Sequence, residues 1–143
     1  GYGFIAELDD LITKNKAGKL ILNIPEGFSA LRPIPFKDLS SSWVAAASNL
    51  GKLLIFPCVE LPLLAKGKGQ KIMHLPLSKK KEVREVMSAL TLLNPEQGLK
   101  VVAGERHLKL TETAQINYTS ERARRGQFLP KGFRNVTSLE PIL

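Results

Sequence analysis

The sequence predicts an all-β fold built from about three similar units, and three observations support this. Apolar segments are short, rich in branched residues and bounded by glycine, proline, asparagine or charged residues, as β-strands are. Residues 48–51 and 102–107 have the composition of tight connections between antiparallel strands. One segment recurs about 50 residues later, a period typical of repeat architectures with one supersecondary unit per repeat.

The repeat is visible when residues 1–25 are compared with residues 51–76. Both copies begin with glycine, pass through an acidic residue and leucine to a lysine–glycine cluster, and end at proline. Residues 104–129 form a looser third copy. We therefore treat residues 1–143 as one domain whose units cover approximately residues 1–50, 51–103 and 104–143.

The element that is hardest to assign covers residues 78–93. A serine followed by apolar residues at helical spacing favours a helix there, whereas residues 42–47, at the matching position of the preceding unit, favour a strand. Because helix propensity is a weak guide, we expect an exposed basic loop over residues 78–85 and a strand over residues 86–92. The other candidate strands are residues 3–6, 20–24, 43–47, 53–56, 72–75, 99–103 and 107–110.

The composition favours an anionic macromolecule as the ligand. The chain has 21 lysine and arginine residues against 13 aspartate and glutamate residues, a formal net charge of +8 and a pI near 9.8. This balance favours nucleic acid or an anionic membrane surface. No apolar run approaches the roughly 20 residues that span a bilayer, and no signal peptide is visible. The chain starts inside a unit, so we expect it to be a fragment of a longer protein.

The residues that could support catalysis or metal binding form no recognisable site. Cys58 is the only cysteine and lies in an apolar run, which predicts a buried, unreactive thiol. His74 and His107 alternate with apolar neighbours, which predicts strand positions and no metal site. Asp10 and Glu60 precede a leucine at the same position of two units, which is typical of a turn or cap. The chain itself is therefore predicted to be non-catalytic and to hold no cofactor.

Positive charge is concentrated at the corresponding place of each unit, beside a glycine. Glycine lets the backbone approach a ligand closely, lysine offers a point charge, and arginine can bind a phosphate with two parallel hydrogen bonds. A single lysine-rich loop is usually a solvated surface, but a cluster in every unit predicts a row of cations that suits a polyanion. The candidate DNA-binding residues are Lys14, Lys16, Lys19, Lys66, Lys68, Lys71, Arg122, Arg124 and Arg125, with Arg134 as an extension of the third cluster.

Two further groups of residues lie outside this pattern. The three lysines at residues 79–81 are equally compatible with an auxiliary phosphate contact and a solvated loop. No aromatic platform alternates with basic residues, which argues against single-strand binding by base stacking. The aromatic side chains that we expect to pack between units are Phe4, Phe36, Trp43, Phe56, Phe128 and Phe133.

Several strings along the chain resemble those of a known family. They are Gly1-Tyr2-Gly3-Phe4, Asp10-Leu11-Ile12, Asn15-Lys16-Ala17-Gly18-Lys19, Phe56-Pro57, Leu61-Pro62, Lys66-Gly67-Lys68-Gly69, Lys71-Ile72 and Arg122-Ala123-Arg124-Arg125-Gly126. Over nearly its whole length the chain resembles the C-terminal domain of the A subunit of bacterial DNA topoisomerase IV and, more distantly, that of DNA gyrase. The Gln-Arg-Arg-Gly-Gly-Lys-Gly string of the gyrase domain is absent, which favours topoisomerase IV and argues against full wrapping of DNA.

This resemblance implies a β-pinwheel: a propeller-like fragment of a larger pinwheel, with about three four-stranded blades that exchange strands. It implies sequence-nonspecific binding of duplex DNA on a basic outer rim, which guides the transported DNA segment of a type IIA topoisomerase during decatenation and supercoil relaxation. In that family the cleaving tyrosine, ATP and Mg²⁺ belong to other domains or to the partner subunit. The implied partners are duplex DNA, the ATPase B subunit together with the rest of the A subunit, with no membrane and no small-molecule substrate. The implied location is the bacterial cytoplasm, in association with the nucleoid.

Two other functions stay open on the sequence alone. One is a propeller whose positive surface binds an acidic protein, and the other is an RNA-binding β module. Indifference to duplex DNA would favour the first, and competition between duplex DNA and single-stranded RNA would separate out the second. A catalytic domain ranks below both, because the sequence has no convergent polar site.

Overall fold

A computed structural model of the chain describes residues 1–76 and 84–142. Within these ranges the helical elements are short: α1 (Glu112–Gln115) and 3₁₀ turns at Leu8–Leu11, Cys58–Glu60 and Ile116–Tyr118. The strands are β1 (Tyr2–Gly3), β2 (Trp43–Ser48), β3 (Lys52–Pro57), β4 (Gln70–Lys71), β5 (Met87–Leu93), β6 (Gly98–Ala103), β7 (Arg106–Leu110), β8 (Gln127–Phe128) and β9 (Ser138–Ile142). The predicted all-β class is confirmed.

The strands of the described residues form three antiparallel sheets. The largest has the order β5-β2-β3-β8, the second has the order β7-β6-β9, and the third is the pair β1-β4. Both predicted hairpins are present. The Gly51 amide donates to the Ser48 carbonyl at 3.1 Å in the turn from β2 to β3, and Gly104 lies in the turn from β6 to β7. One of the three sheets therefore has the four strands that we expected of each blade.

The units share one topology and exchange strands. Each hairpin is followed by a loop and by a strand that returns to the first strand of the hairpin, so β5 pairs with β2 and β9 pairs with β6. The connection before this returning strand contains a two-residue strand that pairs with the preceding unit: β4 pairs with β1, and β8 pairs with β3. Each unit thus extends an edge of the unit before it.

The central four-stranded sheet is apolar on both faces, which stacks the units on one another. Alternate residues of a strand point to opposite faces, and β2 and β3 divide their side chains between two buried clusters. One cluster contains Ala45, Ala47, Leu53 and Ile55 with residues such as Leu99, Val101 and Leu139, and the other contains Val44, Ala46, Leu54 and Phe56 with Cys58, Ile72 and Met73. Since apolar side chains cover both faces, the clustered cations are left to the loops.

The strand predictions hold where pairing is regular. Residues 43–47, 53–56, 99–103 and 107–110 lie in β2, β3, β6 and β7. The ambiguous segment is a strand, because residues 86–92 coincide with β5 except at their ends. Buried and half-buried residues alternate along β5, so pairing with β2 has overridden the local helix propensity.

Three predicted strands are wrong or shortened. Residues 3–6 contribute only Gly3 to β1, and residues 20–24 and 72–75 contain no strand. These segments lie against irregular loops, with which they make isolated backbone hydrogen bonds in place of a ladder. The cause is the partner, since a regular strand needs a regular neighbour.

Two sequence predictions concern the connections. The unit boundaries after residues 50 and 103 fall in the two hairpin turns, and they stay a prediction. The basic loop over residues 78–85, with the three lysines at residues 79–81, lies mostly outside the described residues. Of the described part, Arg84 is exposed and Glu85 is buried. No described helix is long and apolar enough to cross a membrane.

The buried thiol of Cys58 gives a test of the core. Its residue is 1% exposed, and burial raises the pKa of the thiol, so the reactive thiolate forms at higher pH than in the unfolded chain. We predict that the native protein reacts with a thiol reagent at pH 8 about a hundredfold or more slowly than the unfolded protein, because the core must open first. Equal rates with and without denaturant would contradict this packing.

Candidate nucleic-acid interface

The three cationic clusters lie in loops that follow a 3₁₀ turn. We call residues 14–19, 66–71 and 122–125 the first, second and third basic loops. The second basic loop runs from the turn Cys58–Glu60 into β4, and the third runs from the turn Ile116–Tyr118 towards β8. The loops that carry the charge are thus also the loops that enter the preceding unit.

The second basic loop is hydrogen-bonded to the segment that follows the first. The Gly67 amide donates to the Ile21 carbonyl at 2.7 Å, and the Asn23 amide donates to the Gly67 carbonyl at 2.9 Å. Gly67 lies between Lys66 and Lys68. These bonds therefore hold the second pair of cations beside the end of the first basic loop.

The third basic loop is joined to the second in the same way. The His74 amide donates to the Arg124 carbonyl at 2.8 Å, and the Ala123 amide donates to the Ile72 carbonyl at 2.9 Å. Ile72 and His74 follow the second basic loop, as Ile21 and Asn23 follow the first. The three loops are consequently connected in sequence order by backbone hydrogen bonds.

Arg122 connects the second and third basic loops through its side chain. Its guanidinium donates to the Lys71 carbonyl at 2.7 Å, and its backbone amide donates to the Glu60 carboxylate at 3.0 Å. Arg122 and Lys71 are half-buried, and the Lys71 ammonium lies 3.4 Å from the His74 imidazole. Part of the predicted cationic set thus holds the loops together.

The other cations of the three loops are exposed. They are Lys14, Lys16, Lys19, Lys66, Lys68, Arg124 and Arg125. Among the described residues, the ion pair found within this set joins Arg124 to Glu121 at 2.9 Å, and both side chains are largely exposed. Exposed pairs of this kind contribute little. The Lys19 ammonium donates to a neutral carbonyl, that of Asp10, at 2.6 Å, so the loops retain most of their positive charge.

Glycines allow the second and third basic loops to enter the edge of the preceding unit. Gly69 and Gly126 have φ of +83° and +79°, a region that side chains disfavour. A Cβ at Gly126 would lie 2.6 Å from the Leu53 carbonyl oxygen, and one at Gly69 would overlap the Gly3 carbonyl. The close approach therefore requires glycine at both positions.

Arg134 lies beside an exposed aromatic ring near the third basic loop. Its guanidinium donates to the Leu50 carbonyl at 3.0 Å and lies 5.2 Å from the centre of the Phe128 ring. The Lys52 ammonium lies 5.0 Å from the same ring. Phe128 is 58% exposed, so the expectation that it packs between units is wrong, because β8 lies at a sheet edge. Sequence reasoning also missed Lys52, which stands in an apolar run.

The other aromatic and titratable candidates behave more simply. Phe56 is buried, and Trp43, Phe36 and Phe133 pack against the cores, as predicted; Phe4 is half-buried. His107 lies in β7, whereas His74 lies outside the strands. In residues 1–76 and 84–142 no three His, Cys, Asp or Glu side chains are grouped to hold a metal ion.

Curated proteins similar to this chain share one name. The chain is 41% identical over 139 residues to the A subunit of DNA topoisomerase 4 of Pseudomonas aeruginosa. It is 37% identical over 140 residues to the Haemophilus influenzae protein and 33% identical over 140 residues to the Escherichia coli protein. These matches cover at least 97% of the chain but 18% of each relative's length. No protein-family profile matches the chain.

Solved structures agree with these relatives. The E. coli ParC C-terminal domain superposes with a TM-score of 0.85 at 32% identity, over 99% of this chain and 56% of that one. A C-terminal domain of DNA topoisomerase IV gives a TM-score of 0.56 at 16% identity over 73% of this chain and 32% of that one, and it supports the fold alone. The fold and these matches define a β-pinwheel domain. The chain is homologous to the C-terminal part of the DNA topoisomerase 4 A subunit, which the resemblance predicted.

Gly126 provides a test of the docking of the third basic loop. We predict that Gly126→Ala lowers the free energy of unfolding by about 2 kcal/mol or more, because the left-handed backbone and the Leu53 carbonyl both oppose a Cβ. Gly18→Ala is the matched control: Gly18 has φ of +88° but open space around it, so we expect a loss of about 1 kcal/mol. Equal losses in denaturant titrations would contradict the close approach.

Proposed function

We propose that the chain binds duplex DNA without sequence preference, through a row of cations formed by the three basic loops. The observation that carries the proposal is the series of backbone hydrogen bonds that joins the loops in order. A row of exposed lysine and arginine side chains matches the regular spacing of phosphates along a duplex. A solvated surface would need no such alignment between successive units.

The chemistry of these loops is suited to phosphate contact and not to base reading. Lysine ammonium groups act as point charges, and arginine can form two parallel hydrogen bonds with one phosphate. Contacts of this kind position a protein on DNA but carry no sequence information. Binding should therefore release counterions and weaken steeply as salt concentration rises.

The ten candidate residues divide into two roles under this proposal. The seven exposed side chains of the loops, together with Arg134, contact phosphates. Lys71 and Arg122 are half-buried and act as positioning residues, because the Arg122 guanidinium is committed to the Lys71 carbonyl. Removing Arg122 should therefore disturb the alignment of the loops as well as their charge.

We propose that this binding serves a type IIA topoisomerase. The chain spans 18% of the length of the curated relatives that it matches, so the activity of a whole enzyme belongs to the proposal. In that role the domain would hold the DNA segment that is transported through the break, in decatenation and in relaxation of supercoils. Its partners would be an ATPase B subunit together with the rest of the A subunit, which would supply strand cleavage, ATP and Mg²⁺, at the nucleoid of a bacterial cytoplasm.

A charge-removal variant tests the binding proposal. We predict that replacing Lys16, Lys66, Lys68 and Arg125 with alanine weakens binding to a random duplex. It should also flatten the slope of log K against log salt by about 3 or more, because each phosphate contact contributes about 0.9 to that slope. Fluorescence anisotropy at several salt concentrations measures both quantities, and circular dichroism checks the fold.

The matched control removes the same amount of charge elsewhere. Arg32, Lys37, Arg106 and Lys109 are exposed and lie outside the basic loops, so their replacement with alanine should leave most of the affinity and slope. Equal losses in the two variants would reduce the effect to net charge, and unchanged affinity in the loop variant would refute the proposal. Preference for single-stranded RNA or for an acidic protein over duplex DNA would also refute it.

A further inference from the structure

An exposed aromatic ring is paired with a lysine at the same position of two successive units. Tyr2 of β1 faces Lys71 of β4, and Lys52 of β3 faces Phe128 of β8. In each pair one partner belongs to the exchanged strand that follows a basic loop. Tyr2 is 44% exposed and Phe128 is 58% exposed, so an aromatic ring accompanies the cations in both units.

Cations hold both rings in place. The Lys68 ammonium lies 4.1 Å from the centre of the Tyr2 ring. The Phe128 ring lies near Lys52 and Arg134, at 5.0 and 5.2 Å. Lys52 is itself 7% exposed and Arg134 is bonded to the Leu50 carbonyl, so the Phe128 ring rests on a supported base. An apolar ring held in this way is preorganised for contact.

The exposed ring does little for the core. Phe128 belongs to neither buried cluster, whereas its sequence neighbour Leu129 is 7% exposed and belongs to one of them. A large apolar side chain that is kept in water among cations indicates a ligand with both anionic and flat apolar surfaces. Nucleic acid has this combination, in its phosphates and its stacked bases.

We propose that Phe128 is an aromatic wedge that inserts from the minor groove at a base-pair step of the bound duplex and kinks it. This inference rests on the proposed DNA binding and adds how the duplex is bent. Apolar wedges partly unstack a step and kink duplexes by roughly 20–90°. Lys52 positions the ring, Arg134 contacts a flanking phosphate, and Tyr2 makes the corresponding contact one unit earlier. Flexible steps such as TA and CA are the favoured sites, because they unstack most easily.

The test separates bending from binding. A duplex with fluorophores at its ends and 2-aminopurine at a central TA step is saturated with protein; energy transfer reports the bend, and 2-aminopurine fluorescence reports unstacking. We expect the unaltered chain to raise both signals. In Phe128→Ala we expect the bend to fall by roughly 20° or more, the 2-aminopurine signal to return to that of free duplex, and the affinity to weaken by about fivefold or more.

Two controls make the result specific. Phe28 is 47% exposed and has the Arg84 guanidinium 4.7 Å from its ring, but it lies outside the basic loops, so Phe28→Ala should bend DNA normally. Phe128→Leu keeps an apolar wedge and should retain most of the bend. Phe128→Gln replaces the alanine variant if circular dichroism shows that the latter is unfolded.

Each outcome has one reading. Normal bending and unstacking by Phe128→Ala at saturation would overturn the wedge and leave the phosphate-binding proposal intact. Equal losses in Phe28→Ala and Phe128→Ala would overturn it as well, since the effect would then not belong to the rim. Failure of the proposed function looks different, because the unaltered chain would then not bind the duplex at all.

Discussion

The structure depends on the exchange of two-residue strands between successive units. β4 and β8 each leave their own unit and pair with the one before, and the basic loop that precedes each of them is drawn across the junction. The pairing is possible because Gly69 and Gly126 adopt a left-handed backbone against a neighbouring carbonyl. One constraint therefore fixes both the connection between units and the place where their charge emerges.

Apolar packing makes this exchange regular. The central sheet is buried on both faces, so each neighbouring sheet must present its apolar side chains at a fixed position. The stack leaves little room for charge inside, since a buried unpaired cation is costly. Cations are thereby confined to the loops, and repetition of the stack aligns one loop with the next. The proposed DNA binding follows from this alignment and not from any single residue.

The sequence carries the local features of the fold and of the site. Glycine and asparagine in short connections predict the hairpins, and the internal repeat predicts β5 against its helix propensity. What it does not reveal is pairing between distant segments. Residues 20–24 read as a strand but meet only an irregular loop, and Phe128 reads as a core residue but lies on an exchanged edge strand. The commitment of Arg122 to the Lys71 carbonyl likewise depends on a contact between units.

Acetylation of lysines, followed by mass spectrometry with and without a duplex, tests the alignment of the basic loops most directly. Lys16, Lys66 and Lys68 are exposed in two different loops, and Lys37 and Lys109 are exposed outside them. If the loops form one row, the first three lysines become protected together over the same range of DNA concentration while the other two keep reacting. Protection of one loop alone, or equal protection of Lys37 and Lys109, would contradict the account.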